Sequence, residues 1–231
     1  AGDDDQAIHR WTGVDVNLFN KSSDNIEVLS QSYRIPKSVW RVARTITHRI
    51  VDRHIKMFKP RQEEGKVEYV NYLSEVPLSS GSFTLMARTN GYVSEMANYL
   101  RSNGYKFSRN GKSSLSDDLV GNILTWDTLC QDESVGVQQI KAFYSGVKKQ
   151  GKDAVVRRGS TQMLDALAPE DMLDMDTLIK DYGLQRDAST SAYDVLNVSS
   201  SERDYIDAIF RRGEDLLSSP RIKVSTFHAM K

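Results

Sequence analysis

The most unusual run of side chains lies near the first residue, where Gly2 precedes three aspartates (residues 3–5) and Gln6. A glutamine side chain donates and accepts hydrogen bonds, so Gln6 could orient a water molecule or contact a phosphate oxygen. His9 and Trp11 are two positions apart, which places both rings on one face of an extended backbone. There they could stack on nucleobases, at roughly 1–3 kcal/mol per base. The alternative is a core Trp11 with His9 on the surface.

Tyr33 and Arg34 lie between a predicted strand end and a helix that Pro36 starts. Ligands of open α/β sheets bind at the carboxyl ends of strands. A ring there can stack on a base, and an arginine can stabilise charge on a transferring phosphoryl group. The alternative is a tyrosine that anchors the helix and an arginine in a surface ion pair.

The last loop holds Thr226, His228 and Lys231 directly after another predicted strand. A hydroxyl, an imidazole and an ammonium group could contact phosphate and sugar there. Gly111 and Lys112 resemble the end of a phosphate-binding P-loop, but Lys106 stands where that motif needs glycine. No P-loop is therefore predicted. We also expect no metal site: the aspartates at residues 3–5 could bind a divalent ion, but the histidines show no ligand spacing with paired acids.

These residues need a scaffold, and the pattern predicts an α/β fold with a parallel sheet and flanking helices. Strands are predicted at residues 25–30, 67–73 and 82–87, and helices at residues 36–53 and 93–102. Strand signals then nearly vanish until residues 221–225. The intervening stretch predicts a mostly helical insertion with helices at residues 117–130, 135–148, 161–167, 175–182 and 202–217.

The 231 residues balance 31 Lys and Arg against 31 Asp and Glu, which at first argues against a nucleic-acid partner. The balance is uneven along the chain: residues 1–110 carry 16 basic and 12 acidic residues, and residues 111–231 carry 15 and 19. Nine basic residues cluster in residues 34–61, and seven acids in residues 165–187. The basic cluster reads as a phosphate-binding region or as a solvated helix face.

Several protein classes are excluded by composition. No apolar stretch approaches the ~20 residues of a membrane span, and no signal-peptide pattern opens the chain. The single cysteine, Cys130, excludes a disulfide scaffold and favours a reducing cytoplasm. We therefore expect a cytoplasmic location and no membrane partner.

Taken in chain order, four segments resemble signature motifs of the UvrD/Rep-like superfamily 1 DNA helicases. Residues 2–11 (GDDDQAIHRW) resemble motif III, and residues 31–34 (QSYR) resemble motif IV. Residues 87–90 (ARTN) resemble the Arg-(Ser/Thr)-Asn segment of the second motor domain. Residues 226–231 (TFHAMK) resemble motif V, which ends in glycine in the family. The four segments occur in the family's order and are spread over the whole chain.

The resemblance implies a motor with two RecA-like domains that close on ATP and step along single-stranded DNA. Gln6 would sense the γ-phosphate, Tyr33 would stack on adenine, and Arg34 would act as the arginine finger. Lys231 would belong to the loop that couples ATP to DNA. The implied DNA contacts are His9, Trp11, Arg88, Asn90, Thr226 and His228.

The resemblance also implies a domain layout. Residues 1–21 would end the first motor domain, and residues 22–115 would form the second RecA-like domain. Residues 116–219 would be the inserted accessory subdomain, and residues 220–231 would return to the sheet with motif V. The chain would then be a fragment whose partners are single-stranded DNA, the first motor domain of the same polypeptide, and a protein contacted through the insertion.

Departures from the family pattern limit what is expected of this chain. His9 stands where tyrosine is usual and can still stack, whereas Thr12 replaces an arginine and loses one coupling contact. The sequence has no Walker A, no DExx motif at the end of a predicted strand and no motif VI arginine. We therefore expect half of an ATP site: ATP with Mg in the intact protein, no bound nucleotide in this chain, and no ATPase activity alone.

The main alternative is a helicase-like scaffold that binds DNA or protein without motor activity. A P-loop and a DExx motif upstream in the parent gene would favour the enzyme, and their absence would favour the scaffold. A third alternative is an α/β domain whose matches are accidental. It would be favoured if Gln6, Tyr33, Arg34 and His228 did not share one edge of one sheet.

Overall fold

The computed structural model of the chain describes residues 2–6, 13, 15–22, 25–51, 53–149, 151 and 153–229, with the backbone alone at Gln6. The fold is mixed α/β with a sheet that contains parallel strands. The chain divides into two compact units, Ala1–Val76 (unit 1) and Pro77–Lys231 (unit 2).

Unit 1 contains two described helices, α1 (Val16–Asn20) and α2 (Lys37–Thr47), and 3-10 turns at Asp4–Gln6 and Leu73–Glu75. The Asp15 carboxylate caps α1 by accepting from the backbone N–H of Asn17 at 2.8 Å. Pro36 precedes the first turn of α2, which needs no N–H donor from that position. The helix predicted at residues 36–53 is thus confirmed in its first part only.

The predicted end of α2 is wrong. The helix stops at Thr47, and the chain continues without regular structure through the described residues up to Phe58. Ile50 and Val51 are β-branched, which lowers their helix propensity. Arg53 and Lys56 then bond to the aspartates at residues 3–5, contacts that follow the end of the helix.

The strands predicted at residues 25–30 and 67–73 are also wrong. Both segments lie outside every strand of the described chain. What forms nearby is an isolated parallel bridge between Gln31 and Lys59. Alternating apolar residues favour a strand, but a strand persists only where a partner supplies ladder hydrogen bonds. In unit 1 that pairing is limited to the single bridge among described residues.

Unit 2 is built on a four-stranded sheet. Its strands are β1 (Phe83–Ala87), β2 (Phe107–Arg109), β3 (Lys112–Ser113) and β6 (Ile222–Thr226), in the order β1-β6-β2-β3. β6, the last strand among the described residues, thus lies in the middle of the sheet, parallel to both β1 and β2. β3 closes a hairpin with β2 and runs antiparallel to it. The strands predicted at residues 82–87 and 221–225 are confirmed within a residue.

Helix α3 (Asn90–Ser102) connects β1 to β2 and buries Val93, Ala97 and Leu100. These positions recur at three- to four-residue spacing, which makes one apolar stripe along the helix. Phe107, Ile222 and Val224 of the sheet are buried as well. Since α3 follows the end of β1, its first turn lies near the end of the sheet at which β1, β6 and β2 finish. We call that end the carboxyl rim.

Between β3 and β6 the chain forms a mostly helical insertion. Its longer helices are α4 (Asp117–Cys130), α5 (Val137–Gly146) and α9 (Ser200–Arg212), and its shorter ones are α6 (Ser160–Met163), α7 (Met175–Asp181) and α8 (Ala192–Val195). The prediction for α4 is confirmed to the residue. The predicted helices at 135–148, 161–167, 175–182 and 202–217 are present with shifted ends. Two-residue strands β4 (Val135–Gly136) and β5 (Met172–Leu173) were not predicted.

The insertion has a hydrophobic core of its own. Trp126 of α4 stacks on Phe143 of α5, with ring centroids 5.8 Å apart. The polar ends of buried rings are satisfied: the indole N–H of Trp126 donates to the carbonyl of Thr190 at 3.1 Å, and the Tyr144 hydroxyl donates to the carbonyl of Tyr182 at 3.1 Å. Burial raises the pKa of Tyr144, which keeps that hydroxyl neutral and able to donate.

Lys106 fixes the return from the insertion to the sheet. Its side chain is buried, and its ammonium group donates to the carbonyl oxygens of Asp215, Leu216 and Ser218 at 2.9, 2.6 and 2.5 Å. Burial lowers the pKa of Lys106, because desolvation penalises its charged form. Three carbonyl acceptors offset that penalty and hold the loop between α9 and β6 in place.

Candidate nucleic-acid interface

The carboxyl rim brings together two distant parts of the sequence. Ala87 at the end of β1 is paired with Thr226 at the end of β6. The backbone N–H of Phe227 donates to the carbonyl of Ala87 at 3.1 Å, which extends the contact one residue beyond the strands. Arg88 and the loop after Thr226 therefore leave the sheet side by side.

The four DNA-contact residues predicted in unit 2 all lie at this rim: Arg88, Asn90, Thr226 and His228. Thr226 folds the loop back, because its carbonyl and hydroxyl oxygens accept from the N–H of Ala229 at 3.2 and 3.4 Å. Asn90 begins α3, whose first turn is capped by the Thr89 hydroxyl. The side chains of Arg88, Asn90 and His228 are exposed. A guanidinium, an amide, a hydroxyl and an imidazole are groups that contact phosphate, sugar and base edges.

Two exposed aromatic side chains at the rim were not predicted. Phe227, between Thr226 and His228, is 52 % exposed, and Tyr92 in the first turn of α3 is 59 % exposed. Exposed rings beside polar groups provide a surface on which bases can stack. The signal was present in the sequence, since each ring lies within two residues of a predicted DNA contact.

Tyr33 and Arg34 lie in a tight turn of unit 1. The Ser32 hydroxyl accepts from the backbone N–H groups of Arg34 and Ile35 at 3.3 and 3.2 Å. The Gln31 amide donates to the carbonyls of Ser32 and Lys59 at 3.0 and 3.4 Å, which secures the start of the turn. Tyr33 is 84 % exposed, and Arg34 is exposed as well. The turn holds its backbone firmly and presents a ring and a guanidinium to solvent.

The three aspartates of the first segment form a charged cluster with basic partners in unit 1. Lys56 contacts all three carboxylates, and Arg53 makes a two-pronged bond to Asp5 at 2.7 and 2.6 Å. The backbone N–H of His54 donates to buried Asp4 at 2.6 Å. The carboxylate oxygens lie within 4.8 Å of one another, a spacing that could suit a cation. Here an ammonium and a guanidinium already balance the charge.

Opposing effects set the pKa of Asp4. Burial raises it, but the hydrogen bonds from Lys56 and from the His54 N–H outweigh burial and lower the pKa below its ordinary value. Burial by itself lowers the pKa of Lys56. The bonds to the three carboxylates together outweigh burial, so the pKa of Lys56 is raised above its ordinary value. Both groups are thus held in their charged forms, as expected of an ion-paired cluster.

Four predicted site residues fall outside what the structure describes: His9, Trp11 and Lys231 entirely, and Gln6 for its side chain. Arg34 belongs to unit 1 and His228 to unit 2, and each unit is compact by itself. The prediction that Tyr33 and Arg34 follow a strand end is wrong for the described chain, because no strand forms at residues 25–30. That Gln6, Tyr33, Arg34 and His228 share one edge of one sheet stays a prediction.

A groove beside the rim contains basic residues that the sequence reasoning passed over. It has a volume of about 420 Å³ and lies between α3 and the β2–β3 hairpin; we call it the hairpin groove. Its basic side chains are Arg101, Arg109 and Lys112, and its polar ones include Ser94 and Asn98. In the sequence Lys112 stands out only through its likeness to a P-loop, although Arg109 ends a strand just as Ala87 and Thr226 do.

Comparison of the chain with protein-family models, curated proteins and solved structures finds no match. Among the described helices, none combines the length and the apolar character that crossing a membrane requires.

Proposed function

We propose that this chain is part of an ATP-dependent translocase of the UvrD/Rep-like class, in which it supplies the second motor domain and its inserted subdomain. One observation carries the proposal: Arg88, Asn90, Thr226 and His228 lie together at the carboxyl rim. They come from two segments far apart in the chain, and the resemblance assigns DNA contacts to all four. Ligands of open α/β sheets bind at this end of the strands.

The chemistry of the rim suits a single strand of DNA. Arg88 can neutralise a phosphate, and Asn90 and Thr226 can hydrogen-bond phosphate or sugar oxygens. His228 and the exposed ring of Phe227 offer flat surfaces for bases, which a duplex would keep stacked inside. Contacts of this kind do not depend on base sequence, as a translocase requires.

The turn that holds Tyr33 and Arg34 supplies the nucleotide side of the proposal. An exposed ring can stack on adenine, and the adjacent guanidinium can stabilise negative charge on a transferring phosphoryl group. These residues fit part of an ATP site only, because the sequence has no P-loop lysine, and its Asp132-Glu133 pair follows helix α4 rather than the strand that a Mg-binding DExx motif needs. In the proposal a first motor domain provides them, and Gln6 and Lys231 complete the coupling.

Fluorescence anisotropy with a labelled oligothymidylate tests the DNA half of the proposal. The chain should bind the oligonucleotide, and the affinity should fall as salt rises, because bound phosphates release counterions. The variant with Arg88→Ala and His228→Ala should bind at least tenfold more weakly. Arg158→Ala, which removes an exposed arginine in the insertion, is the matched control and should bind like wild type. Equal affinity of the double variant and the control would refute the proposed rim site.

A second experiment tests the ATP half. The chain alone should hydrolyse no ATP, with or without DNA, since half of the catalytic groups are missing from its sequence. DNA-stimulated hydrolysis by the purified 231-residue chain would contradict this assignment. In the intact protein, Arg34→Ala should abolish hydrolysis and leave single-strand binding intact, because Arg34 is assigned to the phosphoryl group rather than to DNA.

A further inference from the structure

We propose that the hairpin groove extends the strand-binding surface, with Arg109 and Lys112 as contacts to the phosphate backbone of the single strand that crosses the carboxyl rim. This inference rests on the proposed function and adds residues that the family resemblance does not assign.

The groove is built to receive negative charge. Arg101 is one of its lining residues, and it donates to the carbonyl of Ser114 at 3.2 Å and stacks over Tyr205 at 4.8 Å. The acid that acts on Arg101 is Glu202, whose pKa is lowered first by its bonds to Ser199 and also by Arg101. Arg101 is therefore a fixed structural cation, and the other two cations are left for a ligand.

Arg109 is oriented towards the groove. One of its terminal nitrogens donates to the Ser94 hydroxyl of α3 at 3.2 Å. A guanidinium has five N–H groups in a planar fork, so a single bond of this kind positions the fork and leaves further donors for a phosphate. Ser94 lies in the second turn of α3, close to the rim, because α3 begins there.

Lys112 lines the groove from strand β3. Its register partner across the hairpin is Arg109, so the two cations are neighbours at the same level of the sheet. The side chain of Lys112 is exposed, and its ammonium group makes no hydrogen bond or ion pair with any described residue. A flexible, hydrated ammonium of this kind suits a phosphate held by charge rather than by fixed geometry.

The sheet order places the proposed contacts one strand after another. From β1 through β6 and β2 to β3 they are Arg88, then Thr226 and His228, then Arg109, then Lys112. Arg109 is in register with Val224, so the contacts on β2 and β3 lie two residues, about 7 Å, below the level of Thr226. Neighbouring strands are about 4.8 Å apart, so the row spans about 14 Å across the sheet. One strand of a duplex rises roughly 3.4 Å per nucleotide, so 14 Å spans about four phosphates, and fewer in a stretched single strand. The row is therefore long enough to contact several consecutive phosphates of one DNA strand.

The test uses the full chain and labelled oligothymidylate at a series of salt concentrations. Lys112→Gln should weaken binding several-fold and reduce the slope of log K against log salt by about 0.7, the value expected for one lost single-strand phosphate contact. Arg109→Lys should weaken binding as well, because a fork-shaped donor is lost. Lys180→Gln, which removes an exposed lysine from α7, is the control and should change neither quantity. Lys112 is exposed, so its loss does not threaten the fold.

The outcomes separate this inference from the function on which it rests. If the rim variant with Arg88→Ala and His228→Ala binds weakly while Lys112→Gln and Arg109→Lys match wild type, the groove assignment is wrong and the proposed function stands. If the chain binds no single strand, both are overturned. If inorganic phosphate binds the wild-type chain and this binding is lost in Lys112→Gln, while the oligonucleotide affinity of the same variant matches wild type, the site is one for a free anion and the inference fails.

Discussion

The backbone N–H of Phe227 donates a hydrogen bond of 3.1 Å to the carbonyl oxygen of Ala87. Phe227 and Ala87 are neighbours in space because they lie at the ends of the adjacent strands β6 and β1. The whole insertion separates them in the sequence. The bond continues the parallel ladder past the last paired residues, Ala87 and Thr226. It therefore fixes where Arg88 and His228 leave the sheet, and the account of function depends on that position.

The buried Lys106 should stabilise the return of the chain to β6. Lys106→Met keeps the length and burial of the side chain but leaves three carbonyl acceptors without their donor, so it should lower the free energy of unfolding by roughly 1–3 kcal/mol. Chemical denaturation followed by circular dichroism measures the change. Lys180→Met is the control at an exposed site. Equal stability of the two variants would show that the three contacts contribute nothing.

Gly104 should tolerate no side chain. Its φ is +68°, and a Cβ there would overlap the backbone carbonyl group of Ala208 in α9. Gly111 has a similar φ of +77° but open space around it. Gly111→Ala should therefore cost only the conformational penalty, about 1–2 kcal/mol, and Gly104→Ala should cost clearly more. Thermal unfolding of both variants isolates the steric part, and identical losses would rule out a close approach of α3 and α9.

The cluster around Asp4 should weaken in acid. The pKa of Asp4 in the folded protein is below the ordinary value of 3.8, so the Asp4 carboxylate contributes its full stabilisation above that pH. The contribution is lost as the pH falls through the lower folded pKa. Carboxyl NMR of Asp4 should show a midpoint below 3.8, and Lys56→Met should raise it. A midpoint at or above 3.8 in the wild type would contradict the ion-paired arrangement.

The amino end of α9 should depend on its capping box. The Ser199 hydroxyl accepts from the N–H of Glu202 at 3.2 Å, and the Glu202 carboxylate accepts from the N–H of Ser199 at 2.9 Å. Ser199→Ala should cost about 1 kcal/mol. The bonds from Ser199 lower the pKa of Glu202, so the same change should raise that pKa. Stability loss without a pKa change would mean that the hydroxyl acts on the helix alone.

Some elements could be predicted from sequence because their signals are local. The apolar stripe of α4 (Asp117–Cys130) indicates where that helix begins and ends. The short run of residues that forms β1 likewise indicates the bounds of that strand. Residues 25–30 carry a similar strand signal and form none, because a strand also needs a neighbouring backbone to pair with. β4 and β5 were missed for a related reason: two residues are too few to show a period.

Some residues of the candidate site could be predicted from local sequence motifs, and others depend on how the sheet assembles. Arg88, Asn90, Thr226 and His228 were predicted from short motifs, and β6 places their two segments together through pairing over a long sequence distance. Arg109 and Lys112 carry no motif. Their relevance depends on the order β1-β6-β2-β3, in which the final strand is inserted between the first two, and no local pattern encodes that order.

Photo-cross-linking tests the central claim most directly. A 5-iodouracil-substituted single strand would be irradiated on the chain, and the attached peptides identified by mass spectrometry. The account predicts adducts on the aromatic residues of the carboxyl rim, at Phe227 and His228 and at Tyr92, and their loss when unlabelled oligothymidylate competes. Adducts confined to the helical insertion, or unchanged by the competitor, would contradict the claim that single-stranded DNA binds at this rim.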